Sequence, residues 1–473
     1  MVRTAISIVA LWRPAVRTTD DAQATATLEP VKQHERTVSV TLHLQVTFPL
    51  PPQDERLPQA IEAHVHRAGL EAQRALFRAL IEHADSQLVL ARRGGKGGAG
   101  VQLRGTRPFH FKTVFGTVTV DRLRITHRGD GTSEVPSATA WGTAHRCELT
   151  RGLREAICDQ MLDESAGAVR QDVGEAAGEP ELVCRATVLN VVHGEGAALL
   201  EAARARADAA LRRAPEVSPP APAQPLEGPP VRVELDEVKV KAQPQTGRKE
   251  IWLFTAVVRL LAWSHLLVDS TQEGLTRQLA ALLHRLGVCA GRRPLLVLAD
   301  GAGWIRAWFE GLAVPGKAMV LCWYHLRKRC YQKISGSGLP KAQKKPLLGR
   351  VLGALWEGKV DVAIQALREA RAAASRPGWI DELIGYLEAR RPYLPDYKSR
   401  KEAGQPLASH RVEKWNDWAV SERCKGRGMS WTAEGVVALA VLEAARRNGE
   451  LDAWRRGRKL PPLKVPRPPR EAA

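Results

Sequence analysis

The sequence predicts a mixed α/β protein whose main core lies in the C-terminal half, after a β-hairpin and a helical region. Three observations predict it. Three β-patterned runs follow a proline-rich segment, strands then alternate with helical patterns, and a long stretch is helical throughout. Alternation of strands with helices is typical of a partly parallel sheet, and the purely helical stretch indicates an insertion into that core.

The composition favours a globular protein that binds a polyanion. The chain has 473 residues, enough for roughly three domains of about 150 residues each. Lys and Arg number 70 against 51 Asp and Glu, which leaves a net charge of +19. Such a surplus favours nucleic acid, because neutralised phosphates release counterions. Arg-rich, GC-biased coding is the alternative source of the arginines.

The cysteines and the hydropathy indicate a cytoplasmic protein. The seven cysteines are scattered and form no CxxC pair, so they predict neither a disulfide framework nor a thiolate zinc site. We interpret them as reduced thiols in a cytosol. No apolar run reaches about 18 residues without a charge, so we expect no membrane span.

The first 103 residues match no familiar pattern. Strict alternation over 37–48 predicts one strand, and the pattern over 59–84 predicts one helix. Residues 92–100, RRGGKGGAG, resemble a phosphate-binding loop only superficially, because no Ser or Thr follows the lysine. We interpret this Gly-rich loop as flexible and basic.

Residues 104–212 are predicted to form a hairpin followed by a helical DNA-binding region. The hairpin spans 107–126, with its turn near Phe115-Gly116. The helical pattern of 165–194 breaks around Gly178 and Pro180. A helix-turn-helix and a plain helical bundle explain this break equally well. The seven prolines of 213–230 then predict a linker.

Residues 231–453 are predicted to form a core of the ribonuclease H kind with an all-helical insertion at about 326–408. The predicted strands and the intervening helices cover residues 231–241, 251–261, 264–270, 272–288, 295–298, 303–312 and 317–323. The tail, 454–473, is basic and rich in proline, and we expect it to be a disordered arm.

Two aspartates stand where predicted strands break or end. The apolar phase of the first strand changes at Asp236-Glu237, which predicts a β-bulge or a bend there. Asp300 follows an apolar strand and precedes Gly301. A carboxylate buried at such a point is costly unless it binds something, and sites in α/β sheets collect where strands end. Paired carboxylates there suit Mg²⁺ or Mn²⁺. The alternatives are a helix N-cap at Asp300 and a solvent-facing turn at Asp236.

A third group of polar residues falls on one predicted helix face. These residues are Glu413, Asn416 and Arg423, with Val420 between them. The basic turn KGRG, 425–428, ends this helix, and Thr432 is expected to cap the next one. A solvated surface is the alternative explanation for such a face.

Four segments in this order, VELDE, LADGAGWI, CWYHL and VEKWNDWAVSERCKGRGMSW, carry a family likeness. They resemble the DDE transposases of bacterial insertion sequences, in particular the Kra-type and Lre-type groups, which are distant relatives of the eukaryotic Mutator transposases. The resemblance covers residues 231 to about 450 well and 104–213 more weakly. The last segment is the most specific of the four.

The resemblance implies a role for each matching residue. The catalytic triad, which also holds two Mg²⁺ or Mn²⁺ ions, would be Asp236, Asp300 and Glu413. The residues implied near this site are Cys322, His325 and Asn416, and those implied to contact DNA phosphates are Arg423, Lys425 and Arg427. We expect His325 to be a neutral imidazole that contacts phosphate or orients substrate; a packed Cys–His pair without chemistry is the alternative. For Trp415 and Trp431 we expect packing rather than base stacking.

One departure from the family concerns zinc. Relatives place paired cysteines after the hairpin, whereas residues 126–142 contain none, and His127 alone cannot hold the ion. We therefore predict no structural zinc.

The implied function is DNA transposition. The enzyme would cleave transposon ends with metal ions and transfer the freed 3′-hydroxyl into target DNA. Implied partners are double-stranded DNA and further copies of the chain, as a homodimer or larger assembly, in the bacterial cytoplasm and on the nucleoid. A ribonuclease-H-like nuclease that cuts without joining, and a silent, domesticated DNA-binding protein, are the alternatives.

Overall fold

This computed structural model describes residues 23–28, 32–33, 37–47, 57–94, 100–143, 147–213 and 228–463. The chain divides into two compact units, Met1–Val191 and Val192–Ala473, and each is described by itself. Most of the predicted Gly-rich loop, most of the proline-rich linker and the last ten residues of the predicted basic arm lie outside the described residues.

The first unit begins with short strands and one long helix. Its elements are β1 (Gln23–Leu28), β2 (Lys32–Gln33), β3 (Val38–Ser39), β4 (Leu42–Thr47), α1 (Leu57–Gly94), β5 (Val101–Thr113), β6 (Gly116–His127), β7 (Ser133–Glu134), α2 (Pro136–Ala140), β8 (Cys147–Leu149), α3 (Arg151–Asp163), α4 (Ala166–Ala176) and α5 (Arg185–Arg212). The single strand predicted over 37–48 is wrong. Two strands occupy this stretch, because β3 pairs with β2 whereas β4 pairs with β1, and Phe48 lies outside the described residues.

The predicted hairpin is formed by β5 and β6, which pair antiparallel around Val114-Phe115. Phe109 and Phe111 of β5 pack with Val118 and Val120 of β6, and Phe77 of α1 packs against them. Alternate residues of both strands therefore face α1, as expected for a sheet with one covered face.

The connection between the helices after the hairpin distinguishes a helix-turn-helix from a plain helical bundle. Ser165 caps α4 by accepting a hydrogen bond from the Ala168 amide. Residues 177–184 join α4 to α5, a longer connection than the roughly 3–4-residue turn of a helix-turn-helix. The connection favours the plain helical arrangement.

The second unit is built on a five-stranded sheet. Its strands are β9 (Val231–Lys241), β10 (Glu250–Leu260), β11 (Trp263–Asp269), β12 (Leu295–Ala299) and β13 (Lys317–Leu321). Their order is β11-β10-β9-β12-β13. Strand β10 is antiparallel to both its neighbours, whereas β12 is parallel to both of its own. A meander therefore continues into a parallel half.

Helices surround this sheet. They are α6 (Gln272–Arg285), α7 (Gly303–Gly311), α8 (Trp323–Gly336), α9 (Lys341–Trp356), α10 (Val360–Arg371), α11 (Gly378–Arg390), α12 (Tyr397–Glu402), α13 (His410–Asn416), α14 (Glu422–Cys424), α15 (Ala433–Arg447) and α16 (Leu451–Gly457). All the regular elements between β13 and α13 are helices, and they include α8–α12. Their apolar faces share one core with the sheet. No helix in the described part of the chain is long and apolar enough to cross a membrane.

The β-bulge predicted at Asp236-Glu237 is wrong. Strand β9 pairs with β10 in unbroken register from Arg232 to Lys241. The apolar phase changes because β9 is covered on both faces. Val231, Val233 and Leu235 face the main core, whereas Val238 and Val240 are buried on the side that also carries Glu234 and Asp236.

The disordered arm predicted from residue 454 is wrong for its first ten residues. Trp454 lies within α16 and is buried, and Leu463 is buried in the main core. Arg458 pairs with Glu195 of α5. Apolar residues among the basic ones anchor this stretch, which the net charge alone did not reveal.

The C-terminal part of α5 belongs to the second unit, so the division lies before the predicted boundary at residue 213. Arg204 donates from Nε to the fully buried carboxylate of Asp269 at 3.0 Å. Asp269 also accepts from the Thr271 amide and from Gln278. A buried carboxylate with this many donors fixes the helix against the sheet.

Gly196 and Gly194 of α5 provide a matched test of this packing. A Cβ at position 196 would lie 2.3 Å from the Cα of Ala438 in α15, whereas one at position 194 would meet nothing within 4 Å. We expect Gly196→Ala to lower the free energy of unfolding by about 1–3 kcal/mol through overpacking. Gly194→Ala should raise it by up to about 1 kcal/mol through helix propensity. Denaturant unfolding of both variants checks this, and equal effects would contradict the close helix crossing.

Candidate active site

The two predicted aspartates lie at the same edge of the sheet. Strand β12 pairs parallel with β9, with Leu298 opposite Glu234. Asp236 lies two residues after Glu234, and Asp300 lies two residues after Leu298. The two aspartates are therefore expected to lie side by side at the same edge of the sheet. Asp236 is paired with Thr255 inside the sheet, which rules out the alternative of a solvent-facing turn.

The electrostatics of Asp236 reflect this placement. Burial raises the pKa of its carboxyl to about 6, and the nearby charge of Asp300 acts in the same direction. The Glu237 amide, His325 and Asn416 oppose the rise. A divalent cation would relieve both the burial cost and the repulsion. Two hard carboxylates in this position therefore fit Mg²⁺ or Mn²⁺.

The loop after Asp300 explains why the sequence has so little bulk there. Gly301 has φ +78, and a Cβ on it would lie 2.7 Å from Leu321 and 2.9 Å from Arg390. Arg390 of α11 donates from Nη2 to the Gly301 carbonyl at 2.8 Å. The helical insertion thus holds this loop in place.

Asp300 is not the N-cap of α7. Its Oδ1 accepts a hydrogen bond from the Ala302 amide at 2.8 Å, and Ala302 itself occupies the N-cap position without a side-chain hydrogen bond. The N-cap alternative for Asp300 is therefore wrong, and its carboxylate retains capacity for other partners.

Glu413 is positioned by Glu234, a buried acid that the sequence patterns did not indicate. Oε2 of Glu234 accepts hydrogen bonds from the Arg411 and Val412 amides at 2.8 and 3.1 Å. These are unsatisfied donors in the first turn of α13. Burial raises the pKa of Glu234. Glu234 of β9 thereby holds α13, the helix that carries Glu413, against the sheet.

Asn416 joins the same helix to the aspartates. Its Nδ2 donates to Oδ2 of Asp236 at 2.9 Å, one turn beyond Glu413. Asn416 therefore lies at the site, and it brings Glu413 to the sheet edge that bears the aspartates. A π-helical segment, Asp417–Ser421, follows directly. Such segments occur frequently at functional sites.

Glu413, Cys322 and His325 form a close cluster. One ligand atom of each lies within 4.8 Å of the others. Cys322 Sγ lies 3.9 Å and His325 Nδ1 3.6 Å from Glu413 Oε1. Ser409 donates its hydroxyl to the same oxygen at 3.1 Å and its amide to the sulfur at 3.4 Å.

The charges within this cluster differ from the expectation of a neutral imidazole. Burial alone would lower the pKa of His325, but Cys322, Glu413 and Asp300 raise it to about 9. His325 is therefore an imidazolium near pH 7 in the metal-free protein. Burial raises the pKa of the Cys322 thiol, but hydrogen bonds with His325 and Ser409 outweigh this effect and lower it overall.

The basic turn after α14 lies at the surface. Lys425 and Arg427 are exposed, whereas the guanidinium of Arg423 lies 5.5 Å from the ring centre of Trp431. Trp415 is buried, and Trp431 donates from Nε1 to the Cys424 carbonyl at 2.9 Å. These contacts favour packing for both tryptophans. Thr432 caps α15 through the Gly435 amide, which confirms that prediction.

Glu234, Ser409 and Arg390 were missed for different reasons. Glu234 shares a strand face with Asp236, so the i, i+2 spacing in VELDE contained a clue. Ser409 lies only four residues before Glu413, but its contact with Cys322 is distant in sequence. Arg390 is likewise distant from the Gly301 carbonyl that it contacts, and no local pattern indicates these long-range contacts. No protein-family model matches this chain, and a search of curated proteins returns no match.

Replacing Glu234 tests how α13 is held. We expect Glu234→Gln to lower the free energy of unfolding by about 1.5–3 kcal/mol, because two hydrogen bonds lose a charged acceptor. Amide hydrogen exchange at Arg411 and Val412 should become faster. Glu422→Gln, the same change at the exposed first residue of α14, should leave both measurements unchanged. Unaltered exchange in Glu234→Gln would contradict the docking role.

Proposed function

We propose that this protein is a DDE-type DNA transposase with a ribonuclease-H-like core. One observation carries the proposal. Asp236 and Asp300 each lie two residues after the last pair, Glu234 and Leu298, of parallel strands β9 and β12. Asn416 ties the helix bearing Glu413 to Asp236. The strand order, an antiparallel meander followed by a parallel half, is the arrangement expected for such a core.

The metal ions, when bound, would supply Lewis acidity and neutralise charge on the scissile phosphate. The residues of the chain provide the rest. Asp236 and Asp300 form the hard-ligand pair, and Glu413 provides a third carboxylate from α13. Asn416 fixes one oxygen of Asp236 by its hydrogen bond. Positioning of this kind accounts for much of the rate in phosphoryl transfer.

The proposed reaction has two phosphoryl transfers. In the first, water attacks the phosphodiester at the element's end, and the P–O3′ bond breaks to leave a 3′-hydroxyl. In the second, this hydroxyl attacks a target phosphodiester and the target's own 3′-oxygen leaves. Lys425 and Arg427, exposed on the basic turn, would bind the phosphates on either side. The net charge of +19 supports a DNA partner.

The Asp300→Asn substitution tests this function. We expect the variant to fold and to bind DNA with unchanged salt dependence, but to lose Mg²⁺-dependent nicking. The loss should exceed the 10–100-fold that second-shell changes cost. The substrate is a labelled duplex with the DNA that flanks the protein's reading frame. Asp452→Asn, the same change at an exposed position of α16, serves as control.

Several outcomes separate the alternatives. Nicking by Asp300→Asn with Mg²⁺ present would sink the assignment of this residue. Nicking by the wild type without a joined product would favour a nuclease that cuts without strand transfer. DNA binding with no cleavage at any divalent metal concentration would favour a silent DNA-binding protein.

A further inference from the structure

A second kind of ligand set lies beside the aspartates. Cys322 precedes α8, His325 lies in its first turn, and Glu413 comes from α13. The sulfur, imidazole nitrogen and carboxylate oxygen of these residues lie within 4.8 Å of one another. A thiolate is a poor ligand for Mg²⁺ but a preferred one for zinc-like ions. The chemistry of this set therefore differs from that of the two aspartates.

The distances within the set approach those of a tetrahedral site. Zinc bound to S, N and O would separate sulfur from oxygen by about 3.6 Å and nitrogen from oxygen by about 3.4 Å. The corresponding separations from Glu413 Oε1 are 3.9 Å to Cys322 Sγ and 3.6 Å to His325 Nδ1. These two separations exceed the tetrahedral values by only a few tenths of an ångström, and all three ligand atoms lie within 4.8 Å of one another.

The surroundings of the set support a metal rather than simple packing. His325 Nδ1 is buried, and its separation of 3.6 Å from Glu413 Oε1 is longer than a hydrogen bond. Ser409 donates to both the sulfur and the carboxylate, as second-shell groups do for metal ligands. Cys322 is fully buried, whereas the side chains of His325 and Glu413 are 26% and 28% exposed. An ion held here would therefore keep one open position towards solvent.

We propose that Cys322, His325 and Glu413 bind a thiophilic divalent cation of the zinc class, with a water molecule as the fourth ligand. The binding itself does not depend on the proposed transposase function. One consequence does rest on that function: an ion here takes Glu413 away from the hard-ligand pair, so zinc competes with Mg²⁺-dependent cleavage.

Cobalt titration of the full-length, chelator-treated protein tests the site. Co²⁺ alone should produce a thiolate-to-cobalt charge-transfer band and the intense visible bands of a four-coordinate ion, both saturating at one equivalent. Zn²⁺ should displace the cobalt, whereas a large excess of Mg²⁺ should not. Absence of a charge-transfer band at one equivalent would overturn the proposal.

Variants locate the bound ion. Cys322→Ser should abolish the charge-transfer band. His325→Gln replaces a partly exposed side chain and so should fold. It should weaken cobalt binding by more than about 10–100-fold, the usual loss from a second-shell change. Cys184→Ser removes an exposed cysteine of the first unit and should leave the spectrum unchanged.

The remaining outcomes are decisive as well. A band that persists in Cys322→Ser, or undiminished affinity in His325→Gln, would place the cobalt on other cysteines and refute the site. Should Cys322→Ser fail to fold, the affinity of His325→Gln decides alone. Asp300→Asn should bind cobalt as the wild type does, so failure of the transposase assignment and failure of the metal site remain distinguishable.

Discussion

Parallel pairing of β9 with β12 is the constraint on which the candidate site depends. These strands are far apart in the sequence, and only their shared register brings Asp236 level with Asp300. Neither carboxylate has the ordinary structural role considered for it, a solvent-facing turn at Asp236 or a helix N-cap at Asp300. Together at one sheet edge they repel, and part of the rise in the pKa of Asp236 is due to Asp300. Carboxyl groups with such raised pKa values occur frequently at functional sites, and a bound cation would reduce the repulsion between them.

The same strand face also governs the third carboxylate. Glu234 accepts the first amides of α13, and Asp236 accepts the amide group of Asn416 from its last turn. The helix is thus fixed at both ends by acids spaced two residues apart on β9. This gives both acids of VELDE a role in holding α13. In the proposed enzyme, a change at Glu234 would affect catalysis through the position of Glu413.

Local patterns in the sequence predicted much of this architecture. A β pattern indicated β9, β-branched and aromatic residues indicated β10, and an apolar run made β11 a third candidate strand. The positive φ of Gly301 was not predicted, although it accounts for the glycine at this position. The sequence patterns gave wrong or incomplete predictions where tertiary contacts determine the local structure. The phase change in β9 needs no bulge, because both faces are covered, and Arg390 reaches Gly301 from an insertion whose own pattern shows only helix.

Glu413 lies between two surroundings of different chemistry. On one side are Cys322 and His325, which suit a soft ion; on the other, the aspartates suit a hard one. Hydrogen bonds involving Glu234 and Asn416 hold the backbone of α13 in place. Movement of Glu413 between its two surroundings therefore requires rotation of its side chain alone. Rotation of one side chain is fast compared with movement of a helix. Both proposed metal sites use the Glu413 carboxylate. The relative concentrations and affinities of the two kinds of ion would therefore determine which ion binds at this edge of the sheet.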